Sequence, residues 1–131
     1  MKLNRELLVR AYAVWLIVEG KVERALEVLS KYYGVSTPNI KVGLPKGYSR
    51  TLGCYISKKA TLYVRSSSEL RNPYVILHEY YHHLRCVLGE HRGTERYANE
   101  YAKKSIEALV KLVRSGVKLN AIMQQDDNVK V

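Results

Sequence analysis

Between Pro73 and Leu88 the chain carries two residue patterns that a helix keeps apart. At about 100° per residue from His78, Ile76, Leu77, Tyr80, Leu84, Val87 and Leu88 gather between roughly 160° and 280°. That is a core-facing stripe. His78, Glu79 and His82 gather between about 0° and 100°, on the other side. The segment therefore reads as a helix with one face in a core and the opposite face free to line a cleft. Pro73 suits the first turn of such a helix.

His78-Glu79-Tyr80-Tyr81-His82 reads H-E-x-x-H. Positions four apart on a helix differ by about 40° in direction and about 6 Å in rise, so both imidazoles can reach one metal ion. Glu79 stands at the edge of the same face, placed to take a proton from a metal-bound water. Zinc suits such donors because it accepts imidazole and carboxylate tetrahedrally and leaves a position open. The competing reading is two surface histidines beside a surface glutamate, since short motifs also arise by chance. The longer histidine motif of metzincins is absent, because Arg85 and Leu88 stand where its glycine and third histidine would fall.

A catalytic zinc usually has three protein ligands. Glu95 is the favoured third. It opens a helical segment whose residues Ala98, Ala102, Ile106, Leu109, Val110 and Val113 form an apolar stripe, and it falls within that stripe. A carboxylate facing a core is costly unless its charge is compensated, and a metal would compensate it. A first-turn glutamate favoured by the helix dipole is the plainer account. His91, with Glu90 beside it, is the runner-up ligand. His83 reads as a rim residue or hydrogen-bond partner. Cys54 and Cys86 read as buried thiols.

The other elements follow from periodicity and punctuation. Helices are expected over 5–19 and 21–33, stopped at Gly20 and Gly34. Short strands are expected at 39–42, 52–57 and 60–65, the last two joined as a hairpin through Ser57-Lys58-Lys59. Residues 43–51 and 66–72 read as loops. The motif helix runs to about Leu88 and a last helix from Thr94 to about Ser115. The tail 124–131 is polar. The expected fold is α+β, one domain over 1–131, with a small antiparallel sheet packed against helices.

The longest apolar run, Leu7 to Val18, falls short of the roughly 20 residues of a membrane span and makes a poor signal peptide. It reads as a buried helix or a dimer contact, and the protein as cytoplasmic. A formal net charge of +10 favours an acidic partner, nucleic acid included. Lys103, Lys104, Lys111, Arg114 and Lys118 share one side of the last helix, although Glu100 and Glu107 dilute them.

The stretch from Leu52 to Ala102 resembles the ImmA/IrrE group of zincin-like metallopeptidases. The resemblance rests on the hairpin Leu52–Arg65, the polar loop Ser66-Ser67-Ser68-Glu69-Leu70, the H-E-x-x-H segment, and Glu95-Arg96-Tyr97-Ala98-Asn99-Glu100-Tyr101-Ala102, which matches E-x-x-A-N-x-aromatic-A. Tyr81 stands where the group has a small residue, so packing there is expected to differ. The resemblance implies His78, His82 and Glu95 as ligands of one Zn2+ per chain, Glu79 as general base, and a protein or peptide substrate. It also implies the alternative of a regulatory or binding protein on the same scaffold.

Overall fold

The computed structural model describes residues 3–89 and 94–117; Glu90, His91, Lys118 and the tail 124–131 lie outside the described residues. Four helices, α1 (Arg5–Val18), α2 (Val22–Tyr33), α3 (Pro73–Leu88) and α4 (Thr94–Arg114), pack on one another, and α3 also lies against a sheet of β1 (Asn39–Val42), β2 (Gly53–Ile56) and β3 (Thr61–Val64). The fold is α+β, and the element bounds agree closely with those read from periodicity. The loop expected at 66–72 contains a short 3-10 turn, Ser67–Arg71. No helix among the described residues is long and apolar enough to cross a membrane.

The sheet is mixed, which corrects the expected antiparallel arrangement. Its order is β1-β3-β2, with β1 parallel and β2 antiparallel to β3. The hairpin between β2 and β3 forces the antiparallel pair. The loop after β1 begins and ends at the Val64 end of β3, where Gly43 N donates to Val64 O (2.7 Å) and Arg65 N donates to Leu52 O (2.8 Å). The chain thus passes over the end of β3 and reverses, which leaves β1 parallel to the strand between them. Every residue of central β3 is buried, whereas β1 is mostly exposed.

Helix α1 lies at the centre of the helical layer. Val9 to Val14, Leu16 and Ile17 are all buried, so most of its apolar run belongs to the core, while Val18 is exposed. Burying a leucine or isoleucine side chain of this kind contributes about 1.5–3 kcal/mol. One charged residue goes inside with them. Arg10 Nε donates to Ser105 Oγ (2.8 Å), its Nη2 donates to the Tyr101 carbonyl (2.9 Å), and its guanidinium lies 4.0 Å over the Tyr101 ring. Tyr33 joins the cluster by donating to Glu6 Oε2 (2.7 Å), and its hydroxyl lies 3.0 Å from that of Tyr101. Burial raises the pKa of both tyrosines, which keeps their hydroxyls protonated as hydrogen-bond donors.

This clamp explains a second correction. The buried face of α4 is Ala98, Tyr101, Ala102, Ser105, Ala108 and Leu112, while Val110 and Val113 are exposed. Polar Ser105 goes inside because Arg10 binds it, and the face turns away from the expected stripe. Likewise in α3, Val87 and Leu88 are exposed, and Val75 and His83 are buried in their place. Tyr81, bulky where a small residue was expected, packs its ring 5.3 Å from that of Tyr101 on α4.

Replacing Arg10 by methionine keeps most of the volume and removes the charge-assisted bonds. The Tyr101 carbonyl and Ser105 then lose their partner, and we expect a loss of about 2–3 kcal/mol. A melting temperature lower by about 10 °C would register it.

Candidate metal centre

Helix α3 begins with Asn72, whose side chain accepts from the amides of Tyr74 (3.1 Å) and Val75 (3.3 Å). It ends at Gly89, whose φ of 82° admits glycine readily. Ile76, Leu77 and Tyr80 are fully buried on the core side. Their packing fixes the rotation of the helix and so points His78, Glu79 and His82 the other way. Those three side chains are 13%, 12% and 18% exposed, so they are not the ordinary surface residues of the competing reading. They line one wall of a cleft of about 600 Å³ between α3 and β2, with Glu95 and Asn99 of α4 beside them.

The donor atoms converge. His78 Nε2 lies 3.3 Å from His82 Nε2. Glu95 Oε2 lies 3.3 Å from His78 Nε2, and its Oε1 lies 2.7 Å from His82 Nε2. Donor atoms of His78, Glu79 and His82 fall within 4.8 Å of one another. Bonds of about 2.0–2.1 Å to a tetrahedral zinc separate its donors by about 3.3 Å. The spacing of the two imidazoles and of Glu95 Oε2 from His78 matches that separation, while the 2.7 Å contact of Glu95 Oε1 with His82 is a hydrogen bond that a bound ion would have to replace. The chemistry of the set fits too. Burial pushes the His82 pKa down against the opposing pull of Glu95, which favours the neutral imidazole that binds metal. Burial first, and the Glu95 carboxylate second, push Glu79 up to about 7, so its carboxyl exchanges protons near neutrality. His78 Nδ1 is buried with no hydrogen-bond partner among the described residues.

Glu95 reaches the imidazoles by a different route from the one expected. Its side chain is 77% exposed, so it is not a carboxylate forced into the core. It stands in the first turn of α4 at the margin of the buried face, alongside the open side of α3. The alternative ligand His91 lies outside the described residues.

His83 is a hydrogen-bond partner, one of the two roles expected of it, but not at a rim. It is fully buried. Its Nε2 lies 2.8 Å from the Ser36 carbonyl and its Nδ1 lies 2.7 Å from the Tyr55 hydroxyl. A carbonyl can only accept, so Nε2 carries the proton and Nδ1 accepts from Tyr55. One neutral imidazole thus ties α3 to β2 and to the segment before β1, and burial pushes its pKa down. Cys54 is buried and Cys86 half-buried; both line the cleft, and no disulfide joins them.

Three further residues shape the cleft, and the sequence reading gave none of them a role there. Gly53 lets β2 approach α3, since a Cβ there would meet Val75 Cγ1 at 2.9 Å and the Tyr63 carbonyl at 3.1 Å. Tyr74 and Asn99 are joined by a hydrogen bond of 2.8 Å. Their spacing, one turn before His78 and one turn after Glu95, is the signal by which the sequence could have shown them.

Gly53→Ala should cost about 1–3 kcal/mol through the forced separation of β2 from α3, read by denaturant unfolding. A second expectation concerns pH. A histidine whose folded pKa is depressed contributes stability above its unfolded value near 6.5 and loses it as pH falls toward the folded pKa. Glu79, raised to about 7, contributes in the opposite sense over the same range, so the readout is a difference: acidification from pH 7 to 5 should destabilise the wild-type chain relative to His83→Gln, which does not titrate there.

No protein-family model matches the chain, and no curated protein or solved structure matches it.

Proposed function

We propose that the chain is a zinc-dependent peptidase with a zincin-like fold, as its resemblance to the ImmA/IrrE group implies. The observation that carries the reading is the meeting of His78, His82 and Glu95 at 2.7–3.3 Å in the cleft, with Glu79 beside them. His78, His82 and Glu95 would hold the ion. Zinc, when bound, supplies Lewis-acid charge to a scissile carbonyl and to a water.

The chain's own residues supply the rest. Glu79 takes a proton from the water and later gives it to the leaving amine nitrogen. In the metal-free chain burial raises the Glu79 carboxyl to about 7, and a bound cation would pull it back toward the carboxylate form that accepts the water's proton. Strand β2 lines the cleft and is an edge strand, so a substrate peptide can pair with it in extended form. Pairing would hold the peptide backbone at a fixed height over the donor cluster.

Elemental analysis of protein purified without a metal-affinity tag should find zinc in stoichiometric amount, and His78→Ala and Glu95→Ala should lose it. Glu79→Gln should keep the zinc while hydrolysis of casein falls by about 10²–10⁴-fold. A wild-type chain that takes up no zinc, or full hydrolysis by Glu79→Gln, would overturn the reading.

One observation favours a second reading, a regulatory protein on the same scaffold that contacts nucleic acid. Lys103, Lys104, Lys111 and Arg114 are all exposed on α4. Glu100 and Glu107 are exposed on the same helix and weaken its field. Duplex DNA binding that falls steeply with salt would support this second reading, and no binding at low salt would remove it.

A further inference from the structure

We propose that Tyr74 and Asn99 form a positioning strap that sets the gap between α3 and α4 at the metal centre. The inference rests on the reading that His78, His82 and Glu95 hold a metal. The Tyr74 hydroxyl donates to Asn99 Oδ1 at 2.8 Å. Tyr74 lies one turn before His78 on α3, and Asn99 lies one turn after Glu95 on α4. The contact of His78 with Glu95 (3.3 Å) and the contact of Tyr74 with Asn99 are therefore neighbouring rungs between two antiparallel helices. Fixing one rung fixes the spacing of the other.

The ring of Tyr74 does a second part of the task. It stacks on the His78 imidazole with centroids 6.3 Å apart and planes 28° from parallel. One side chain thus holds the face of one ligand and, through its hydroxyl, the helix that carries another. Glu95 needs such a support. Its side chain is 77% exposed, and the clamp of Arg10 on Tyr101 and Ser105 grips α4 well beyond its first turn. A solvent-exposed carboxylate on an unsupported helix end would spend ordering entropy each time it closed on a metal. Tyr74 itself is 37% exposed and its hydroxyl bond is exposed, so the strap adds little to the core. The bond matters for where Glu95 stands.

The test compares wild type with Tyr74→Phe, Asn99→Ala and the double variant. Tyr74→Phe keeps the stacking ring and removes only the hydroxyl. Zinc affinity is measured by competition with a chromophoric chelator. Ligand geometry is read from the visible absorption of the cobalt(II)-loaded protein. The melting temperature of the metal-free protein reports on the fold. Each single variant should bind zinc about 10-fold more weakly, the usual cost of removing a residue that orients a metal ligand. The double variant should be no weaker than the worse single one, because both act through the same bond. The cobalt spectrum should change while the metal-free melting temperature holds. Unchanged affinity and spectrum in both single variants would overturn the strap while leaving the metal centre in place. Additive losses, or losses that merely follow the metal-free melting temperature, would also overturn it. A wild-type chain that binds neither metal would overturn the metal reading and the strap with it.

Discussion

Everything at the cleft depends on the rotation of α3 about its own axis. A helix has one rotational setting, and here it must serve two faces. Ile76, Leu77 and Tyr80 are sealed in the core, with the Tyr80 hydroxyl 3.1 Å from Ser30 Oγ on α2. Burial pushes Tyr80 up to about 12, so that hydroxyl stays neutral. His83 adds a third anchor through Tyr55 and Ser36. With those contacts made, the side chains of His78, Glu79 and His82 have one direction in which to point. Core packing is thus the source of ligand direction, and interiors packed as densely as crystals tolerate little drift.

Helix α4 solves a different problem. It must bring a single carboxylate to a site built on another helix. Its grip on the rest of the molecule is polar as much as apolar, through buried Arg10 between Tyr101 and Ser105. A guanidinium offers several donors in a fixed plane, so it specifies orientation where alanines alone would let the helix slide. The small residues Ala98 and Ala102 bring the backbone close on the same face.

The helices, the hairpin and the H-E-x-x-H face could be read from the sequence because each rests on local spacing within one segment. What could not be read depends on contacts between segments. The parallel pairing of β1 with β3 arises from the path of a loop over a strand end, which no periodicity encodes. The turn of α4's buried face arises because Ser105 is bonded by a residue on α1, so an apolar count alone chose Val110 and Val113 wrongly. His83 looked like a rim residue for the same reason: its two partners lie on β2 and before β1. The burial expected of Glu95 fails, since its side chain is 77% exposed, yet the carboxylate stands against both imidazoles. Motif spacing located that residue better than the energetic case made for it.

The sheet order also grades its strands by the cost of pairing them. The hairpin of β2 and β3 closes over the short stretch Ser57–Ala60, whereas β1 is separated from β3 by the intervening loop and strand. Loop closure becomes entropically costlier with separation along the chain, so pairing β1 with β3 costs more chain entropy than closing the hairpin. A strand on an exposed edge is also the one most easily released by local opening. The wall of the cleft, β2, belongs to the locally closed pair. Fraying of β1 on the far edge can therefore relax the sheet without dismantling the side that faces the metal ligands.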